Sequence, residues 1–328
     1  MFFSIEKYGV QWYNGKNQGE YVMPIKIPSA LPAREVLESE NIFVMDEKRA
    51  MTQDIRPLKI FILNLMPNKA VTETQILRLL SNTPLQVDIS LLKPESHISK
   101  NTSPEHLKAF YRTFTDIKQD RFDGMIVTGA PVERLEFSAV DYWDELCSIM
   151  DWAHDHVFSS MYVCWGAFAG LYHNHGIAKH PLDKKLSGVF RHRTLIPSHP
   201  LLRGFNEFFN APHSRYSYVM REDFADHDSL LILAESLDAG VYIAATADGR
   251  EVYITGHPEY DADTLKLEYI RDSGKNASCA VPENYFPDDD PSSTPQNTWR
   301  AHAHLLYSNW LNYFVYQNTP YDLEQLLL

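Results

Sequence analysis

Short apolar runs rich in β-branched residues recur along the chain. The clearest lie at residues 58–66 (LKIFILNLM), 85–92 (LQVDISLL), 122–128 (FDGMIVT), 157–164 (VFSSMYVC) and 252–255 (VYIT). Weaker runs lie at 230–233 and 241–245. Continuous apolar runs of this length are typical of strands that are buried on both faces of a parallel sheet.

Amphipathic patterns with a helical period lie between these runs. They cover residues 73–81, 142–156, 165–175 and 298–316, and Ser103-Pro104 marks a further helix start. Strands and helices alternate from about residue 58 to 175, which predicts an α/β fold with an open, mostly parallel sheet and helices on both faces. Residues 178–250 are less periodic, and 282–297 form a polar stretch that predicts a loop.

The 328 residues suffice for one large α/β domain, which we assign to residues 23–328. Residues 1–22 contain several charged side chains and no apolar core of a signal peptide, so we expect a disordered N-terminal extension there.

Charge and cysteine usage narrow the function classes. A net charge of −13 without a Lys/Arg-rich block disfavours nucleic acid as a partner. The apolar runs are too short to span a bilayer, so no membrane partner is expected. Cys147, Cys164 and Cys279 form neither a disulfide framework nor a zinc-site spacing, so we expect a reducing cytoplasm and no metal.

Cys164 has a setting that the other cysteines lack. An apolar strand runs directly into it, and a helix rich in small residues (WGAFAG) leaves from it. This order predicts a nucleophile elbow, in which the thiol lies above the sheet at a helix N-terminus that favours the thiolate. The backbone N–H of Trp165 would then point towards an oxygen bound at the sulfur. We therefore predict that Cys164 is a nucleophile, whereas Cys147 is expected to be a packing residue.

A histidine follows another predicted strand in the segment VYITGHPE. Catalytic groups in open α/β sheets collect at the carboxyl ends of the strands, so His257 is expected at the same edge as Cys164. A bend at Pro258 would fold the Glu259 carboxylate back onto the imidazole. These positions predict a triad of Cys164, His257 and Glu259, with the histidine as base and the glutamate as its orienting group.

The order Cys…His-x-Glu resembles that of the class I glutamine amidotransferase-like (flavodoxin-like) fold. More specifically, the chain resembles the homoserine O-acyltransferases of methionine biosynthesis over about residues 23–317. The similarity is carried by MPIKIPSALPAREVLESENIFVM, RPLKIFILNLMPNK, ETQILRLLSNTPLQVDISLL, TGAPVE, DYWDEL, CWGA, NAPHSRY and GHPEYD.

The resemblance implies that an acyl group moves from acyl-CoA to the cysteine and then to the γ-hydroxyl of L-homoserine. Acyl-CoA is then a co-substrate, no other cofactor is needed, and the chain is expected to form a homodimer. The resemblance also implies an oxyanion site at Lys69 and the Trp165 amide. It places the homoserine carboxylate on Arg271, with Lys185 and Ser214 in the substrate pocket.

The acyl donor is expected to depend on Glu133, with Ser214 as a second position. Glu133 ends TGAPVE, directly after the strand predicted at 122–128. In the resembling family, glutamate here is associated with acetyl-CoA and glycine with succinyl-CoA. A glutamate would repel the terminal carboxylate of a succinyl group and occupy the volume that it needs. If Glu133 instead faces solvent, as its position alone equally allows, it selects no donor.

The favoured function is therefore homoserine O-acetyltransferase, with acetyl-CoA and L-homoserine as substrates. The alternatives are homoserine O-succinyltransferase on the same scaffold, a glutamine amidotransferase-like hydrolase that uses the same triad, and a non-enzymatic binding protein. One departure from the family pattern is Phe168, where the family often has glutamine, and this change is expected to affect the pocket wall.

Overall fold

The computed structural model describes residues 25–28, 30–39, 44–45, 56–99, 101–275, 279–320 and 323. The extension predicted at residues 1–22 lies outside the described residues. The described part contains one large mixed sheet with helices on both of its faces.

The strands join into this sheet in the order β2-β1-β4-β3-β6-β7-β12-β11-β10-β8-β9, and β5 pairs with β4 at the side. The strands are β1 Ile25–Lys26, β2 Val44–Met45, β3 Leu58–Leu63, β4 Val87–Leu92, β5 Tyr111–Arg112, β6 Phe122–Val127, β7 Val157–Val163, β8 His180–Thr194, β9 Phe208–Tyr218, β10 Leu230–Ser236, β11 Gly240–Thr246 and β12 Glu251–Ile254.

The half of the sheet from β2 to β12 is parallel, as the alternation of strands and helices predicts. β7 lies between β6 and β12, and all three strands run in the same direction. Their carboxyl ends therefore open onto one edge, where the residues following each strand come together.

The other half, from β12 to β9, is antiparallel. The weaker apolar runs at 230–233 and 241–245 lie within β10 and β11, whereas the long β8–β9 hairpin was not predicted. The sequence does not show β8 because its first eight residues are all exposed or half-buried. Lysine, histidine and arginine side chains occupy much of this strand, so its apolar periodicity is weak.

The helices flank the sheet, and short 3₁₀ turns occur in the connections. The helices are α1 Ala33–Ser39, α2 Lys69–Leu80, α3 Pro104–Phe110, α4 Phe114–Ile117, α5 Trp143–His156, α6 Trp165–His175, α7 Thr264–Ser273 and α8 Arg300–Asn309, and the 3₁₀ turns are Phe137–Ala139, Pro200–Leu202, Arg221–Phe224 and Pro287–Asp289. The helix predicted at 298–316 is α-helical only in α8 and continues as a π-helix over Trp310–Tyr316.

Alternate side chains of the buried strands enter two separate apolar layers. In β3, Ile60 and Ile62 pack in the layer that contains residues of α2 and α8, whereas Phe61 and Leu63 pack in the layer that contains residues of α5 and α6. This alternation follows from the two-residue period of a strand. It confirms that helices cover both faces and leave the carboxyl edge of the sheet as the open region.

Candidate active site

Cys164 lies at the turn between β7 and α6, with a backbone conformation of φ 51° and ψ −115°. This positive φ is strained for a residue with a side chain and agrees with the predicted elbow. The turn is held by a hydrogen bond from the Cys164 N–H to the carbonyl oxygen of Ile254, at 2.7 Å. A Cβ on Gly166 would lie 2.8 Å from the carbonyl oxygens of Val127 and Thr128, so the helix can approach β6 this closely only with glycine there.

His257 follows β12 and lies beside the cysteine. Its N–H donates to the carbonyl oxygen of Pro212 at 2.9 Å, and its Nδ1 lies 2.7 Å from Oε1 of Glu259. The Cys164 sulfur lies beside the imidazole and raises its pKa. Because Nδ1 faces Glu259, Nε2 is the ring nitrogen left for the sulfur. The structure thus brings the predicted triad together in the predicted order.

Burial and charge act in opposite directions on this histidine. Burial by itself would lower the pKa of His257, but the Cys164 sulfur and the Glu259 carboxylate raise it well above the ordinary value. The Tyr260 ring stacks on the imidazole with a centroid distance of 4.0 Å and fixes its plane. A buried histidine held between a thiol and a carboxylate is equipped to accept and return a proton.

Gly129 lies against both reacting groups and was not predicted from the sequence. A Cβ built on this glycine would lie 3.2 Å from Cβ of Cys164, 3.3 Å from Cε1 of His257 and 3.7 Å from Sγ of Cys164. Hydrogen bonding within the described residues gives no partner to the backbone N–H groups of Gly129 and Trp165. Both groups are therefore available to an oxygen bound beside the sulfur.

Lys69, the other predicted oxyanion group, points elsewhere. Its ammonium donates to the carbonyl oxygens of Asn64 and, at 3.3 Å, Met66. It lines a smaller neighbouring cavity of about 200 Å³, the Lys69 pocket, rather than the cavity that contains Cys164. Burial lowers the pKa of Lys69 to about 8. Its oxyanion role stays a prediction that none of these contacts supports.

The cavity around the cysteine, hereafter the Cys164 pocket, has a volume of about 490 Å³. This size suits a small ligand. The other predicted substrate residues line it together with the nucleophile and base: Glu133, Lys185, Ser214 and Arg271. They come from the β6–α5 connection, β8, β9 and α7, so the antiparallel half of the sheet and α7 complete a pocket that the parallel half begins.

Glu133 lines this pocket and is half-buried, so it is not merely a solvent-facing loop carboxylate. Its main-chain carbonyl accepts hydrogen bonds from Nζ of Lys179 at 2.7 Å and Oγ of Ser217 at 3.2 Å. Burial raises the pKa of its carboxyl above the ordinary value, although His257 and Lys185 oppose this effect. The two main-chain bonds fix the loop so that this carboxyl stays at the pocket wall.

Glu268 is a second residue of the site that was not predicted from the sequence. Its carboxylate accepts hydrogen bonds from the Ser214 hydroxyl, from Nζ of Lys185 at 3.0 Å and from the Tyr260 hydroxyl at 2.8 Å. Burial opposes its ionisation, yet Lys185 and Ser214 hold its pKa below the ordinary value. Glu268 therefore connects the wall of the pocket to Tyr260, which stacks on the base.

Arg271 and Asp272 stand at the rim of the same pocket. The Arg271 Nε donates a hydrogen bond to the Asp272 carboxylate at 2.8 Å, and this carboxylate also accepts one from Nζ of Lys185 at 2.9 Å. The Arg271 side chain is 56% exposed, so its guanidinium has room to turn towards a ligand. A spacing of four residues places Glu268 and Asp272 on one stripe of α7, and this was the signal available in the sequence.

Phe168 does not line the pocket. It is fully buried in the apolar layer of α5 and α6 and faces the Arg215 guanidinium, which lies 5.9 Å from the ring centroid. The prediction that this departure affects the pocket wall was therefore wrong, because the side chain points into the core. Cys147 is half-buried on α5 and packs against the same layer, as predicted.

The described residues show neither a metal-binding cluster nor a membrane-spanning helix. Across the described ranges, groups of three or more histidine, cysteine or acidic side chains that could hold a metal ion are absent. Nor does any described helix combine the length and apolar character needed to cross a membrane.

Known proteins similar to this chain were found both by sequence and by structure. The family model described as homoserine O-succinyltransferase matches residues 24–321. A homoserine O-acetyltransferase of Brevibacillus brevis is 60% identical over 302 residues, which are 92% of this chain and 99% of the relative. A homoserine O-acetyltransferase of Acetivibrio thermocellus is 58% identical over 304 residues, covering 93% of this chain and all of the relative.

Among solved structures, a glutamine amidotransferase of Thermotoga maritima superposes with a TM-score of 0.54. The match covers 78% of this chain and 98% of the other at 11% identity. At this identity the likeness shows the fold alone, which is the amidotransferase-like fold that the order of the triad residues resembles.

Proposed function

Because the chain belongs to the homoserine O-succinyltransferase family, we propose that it is a homoserine O-acetyltransferase that works through an acyl-thioester on Cys164. The observation that carries the proposal is that Cys164 and His257, with Glu259 behind the imidazole, open into one pocket whose wall includes Glu133. The products are O-acetyl-L-homoserine and free CoA.

In the first half-reaction the Cys164 sulfur attacks the thioester carbonyl of acetyl-CoA. His257 holds the proton taken from the thiol, and Glu259 stabilises the resulting imidazolium through Nδ1. We assign the N–H groups of Gly129 and Trp165, which have no partner among the described residues, to the negative oxygen of the tetrahedral intermediate. The carbon–sulfur bond to CoA then breaks, and His257 returns its proton to the departing thiolate.

In the second half-reaction L-homoserine enters the emptied pocket. Its carboxylate pairs with Arg271, whose fork of N–H groups suits two parallel hydrogen bonds. Its ammonium pairs with Glu268, the acidic group that Lys185 and Ser214 keep ionised. His257 removes the proton of the γ-hydroxyl, the oxygen attacks the acetyl-thioester, and the Cys164 sulfur leaves and regains a proton.

Donor choice follows from the half-buried carboxyl of Glu133. A succinyl group would bring its own carboxylate to this wall, where repulsion and limited volume both disfavour it. An acetyl group meets neither obstacle. Discrimination that rests on one repulsive group is incomplete, so residual succinyl transfer is expected.

The assay mixes purified protein and L-homoserine with acetyl-CoA or succinyl-CoA and identifies the product by mass. We expect acetyl transfer to dominate, and acetyl-CoA alone to add one acetyl mass to the wild-type protein but no thioester to Cys164→Ser. Release of glutamate from glutamine would instead favour an amidotransferase-like hydrolase. Dominant succinyl transfer, or labelling of Cys147 or Cys279, would overturn the corresponding part of the proposal.

The role of Glu133 has its own test. Glu133→Gly should raise the ratio of succinyl to acetyl transfer, and Glu136→Gly, which changes an exposed glutamate on the same loop, serves as the control. An unchanged ratio in Glu133→Gly would remove Glu133 from donor selection. A cytoplasmic location and a homodimeric state stay predictions.

A further inference from the structure

A second and larger cavity adjoins the Cys164 pocket. We call it the Lys184 cavity; its volume is about 610 Å³. The two cavities share Arg134, Lys185, Tyr216 and Asp272 in their linings. None of the triad residues lines the Lys184 cavity, so the proposed chemistry leaves its purpose open.

The wall of this cavity is firmly built on one side. The segment at Glu283 pairs with β8 through a parallel bridge to Gly188, with hydrogen bonds from Glu283 N–H to Ser187 and from Val189 N–H to Glu283, each 2.8 Å. A Cβ on Gly188 would lie 2.3 Å from the carbonyl oxygen of Glu283, so only glycine permits this approach. Main-chain pairing thus fixes this side of the cavity.

Cationic side chains reach the cavity from three separate elements. Arg134 follows β6, Lys184 lies on β8 and Lys275 follows α7; all three are exposed and lack a carboxylate partner among the described residues. Asp183, Asp272 and Glu283 also line the cavity, so its charge is mixed, but Asp272 is already paired with Lys185 at 2.9 Å. In a chain with a net charge of −13, such a convergence of uncommitted cations favours an anionic ligand.

Aromatic rings accompany these cations. The Arg134 guanidinium stacks 3.9 Å above the ring centroid of Tyr216, which holds its planar fork of N–H groups in place. Tyr269 offers a second ring in the lining. Cations that can pair with phosphate, next to rings on which a base can stack, fit a phosphorylated nucleoside.

We propose that the Lys184 cavity binds the nucleotide end of acyl-CoA, an adenosine bearing a 3′-phosphate and a 5′-diphosphate. This inference rests on the proposed function. The thioester occupies the Cys164 pocket, and the pantetheine arm crosses the wall shared at Arg134 and Tyr216. The Lys69 pocket is the less suitable alternative, because it is smaller and its lysine is already committed to backbone carbonyls.

The test compares acetyl-CoA with S-acetyl-pantetheine, a donor that lacks the nucleotide. The double variant Lys184→Ala/Lys275→Ala should raise KM for acetyl-CoA by about 5- to 20-fold, the effect of losing two exposed ion pairs. KM for acetyl-pantetheine and kcat with either donor should stay unchanged. Asp183→Asn removes a repulsive carboxylate from the same lining and should lower KM for acetyl-CoA by about 2-fold.

The matched control is Lys108→Ala/Lys118→Ala, which removes the same two charges from exposed positions on other elements. Direct binding of adenosine 3′,5′-bisphosphate, measured by calorimetry, should weaken in the first double variant and not in the control. The site would be overturned if wild type and Lys184→Ala/Lys275→Ala had equal KM values for acetyl-CoA. It would also be overturned if the double variant raised KM equally for acetyl-CoA and acetyl-pantetheine. If neither donor yields O-acetylhomoserine in the wild type, the proposed function is wrong. In that case the nucleotide site is still tested by the calorimetry, because unweakened binding of the bisphosphate to Lys184→Ala/Lys275→Ala would overturn it.

Discussion

The narrow space at Gly129, beside the proposed nucleophile, predicts the effect of a single methyl group. Gly129→Ala would place a Cβ 3.2 Å from Cβ of Cys164 and 3.3 Å from Cε1 of His257. Carbon atoms prefer separations of about 3.5–4.0 Å, so each neighbour must yield by a few tenths of an ångström. The methyl group lies between the two residues and therefore pushes the thiol and the imidazole out of alignment.

The size of the effect follows from this displacement. A misplacement of about 1 Å can cost about 100-fold in rate, so a shift of about 0.3 to 0.5 Å should slow acylation of Cys164 by about 4- to 10-fold. This corresponds to about 0.8–1.4 kcal/mol in activation free energy. Stability should change by no more than about 1 kcal/mol, because the strain of the added methyl is partly offset by the lower entropy of the unfolded alanine chain.

Acylation is measured by mixing the protein with acetyl-CoA, quenching at successive times and determining the acetylated fraction by intact mass. Thermal unfolding is recorded in parallel. The control is Gly274→Ala, where the nearest atoms to a new Cβ lie at 3.4 and 3.6 Å and φ is −65°. Alanine keeps the N–H of residue 129, so a loss reports on spacing rather than on the oxyanion site. An acylation rate equal to wild type would show that Gly129 does not set the spacing of the thiol and the imidazole.

Three further substitutions test other parts of the site. Glu259→Gln should reduce the acylation rate by about 10²- to 10⁴-fold because it removes the charge that stabilises the imidazolium; a loss below 10-fold in stopped-flow assays would contradict this role. Arg271→Lys should raise KM for homoserine by about 10- to 100-fold and leave acylation by acetyl-CoA unchanged, since lysine lacks the bidentate fork; equal damage to both half-reactions would point to another role. Lys69 has a folded-state pKa of about 8, below the unfolded value, so the unfolded chain binds more protons between about pH 8 and 10.5 and this residue makes stability rise with pH there. In denaturant titrations, the free energy of unfolding of the wild type should therefore rise across that window by up to about 3 kcal/mol more than that of Lys69→Met. If the free energies of both proteins change with pH in the same way, the lowered pKa of Lys69 is wrong. An unchanged acylation rate in Lys69→Met would exclude its oxyanion role.

The sequence could locate the triad because each member follows a strong local signal. β7 and β12 are short, almost wholly buried segments, and Cys164 and His257 stand just beyond their carboxyl ends. Parallel strands deliver such residues to one edge of the sheet. The Glu259 contact needed only a bend within three residues, so it too was a local inference.

The positions of Glu133, Lys185, Ser214 and Arg271 were expected only from the resemblance. Their residue types and spacing carry no signal that joins them, because they lie on separate elements and meet only after the sheet has assembled. Lys69 shows the opposite outcome: its sequence neighbourhood matched the family, but backbone carbonyls near it are the partners that its ammonium reaches.

Local patterns in the chain were enough to predict the parallel half of the sheet, the helices on its two faces and the edge where the nucleophile and base would lie. These features depend on apolar periodicity and on strand-to-helix turns, which are properties of neighbouring residues. The assembled fold was needed to show that Gly129 lies between the thiol and the imidazole, that Glu268 joins Ser214, Lys185 and Tyr260, and that the β8–β9 hairpin completes the pocket. Those contacts join residues far apart in the chain, and their geometry depends on the packing of whole elements rather than on any local pattern.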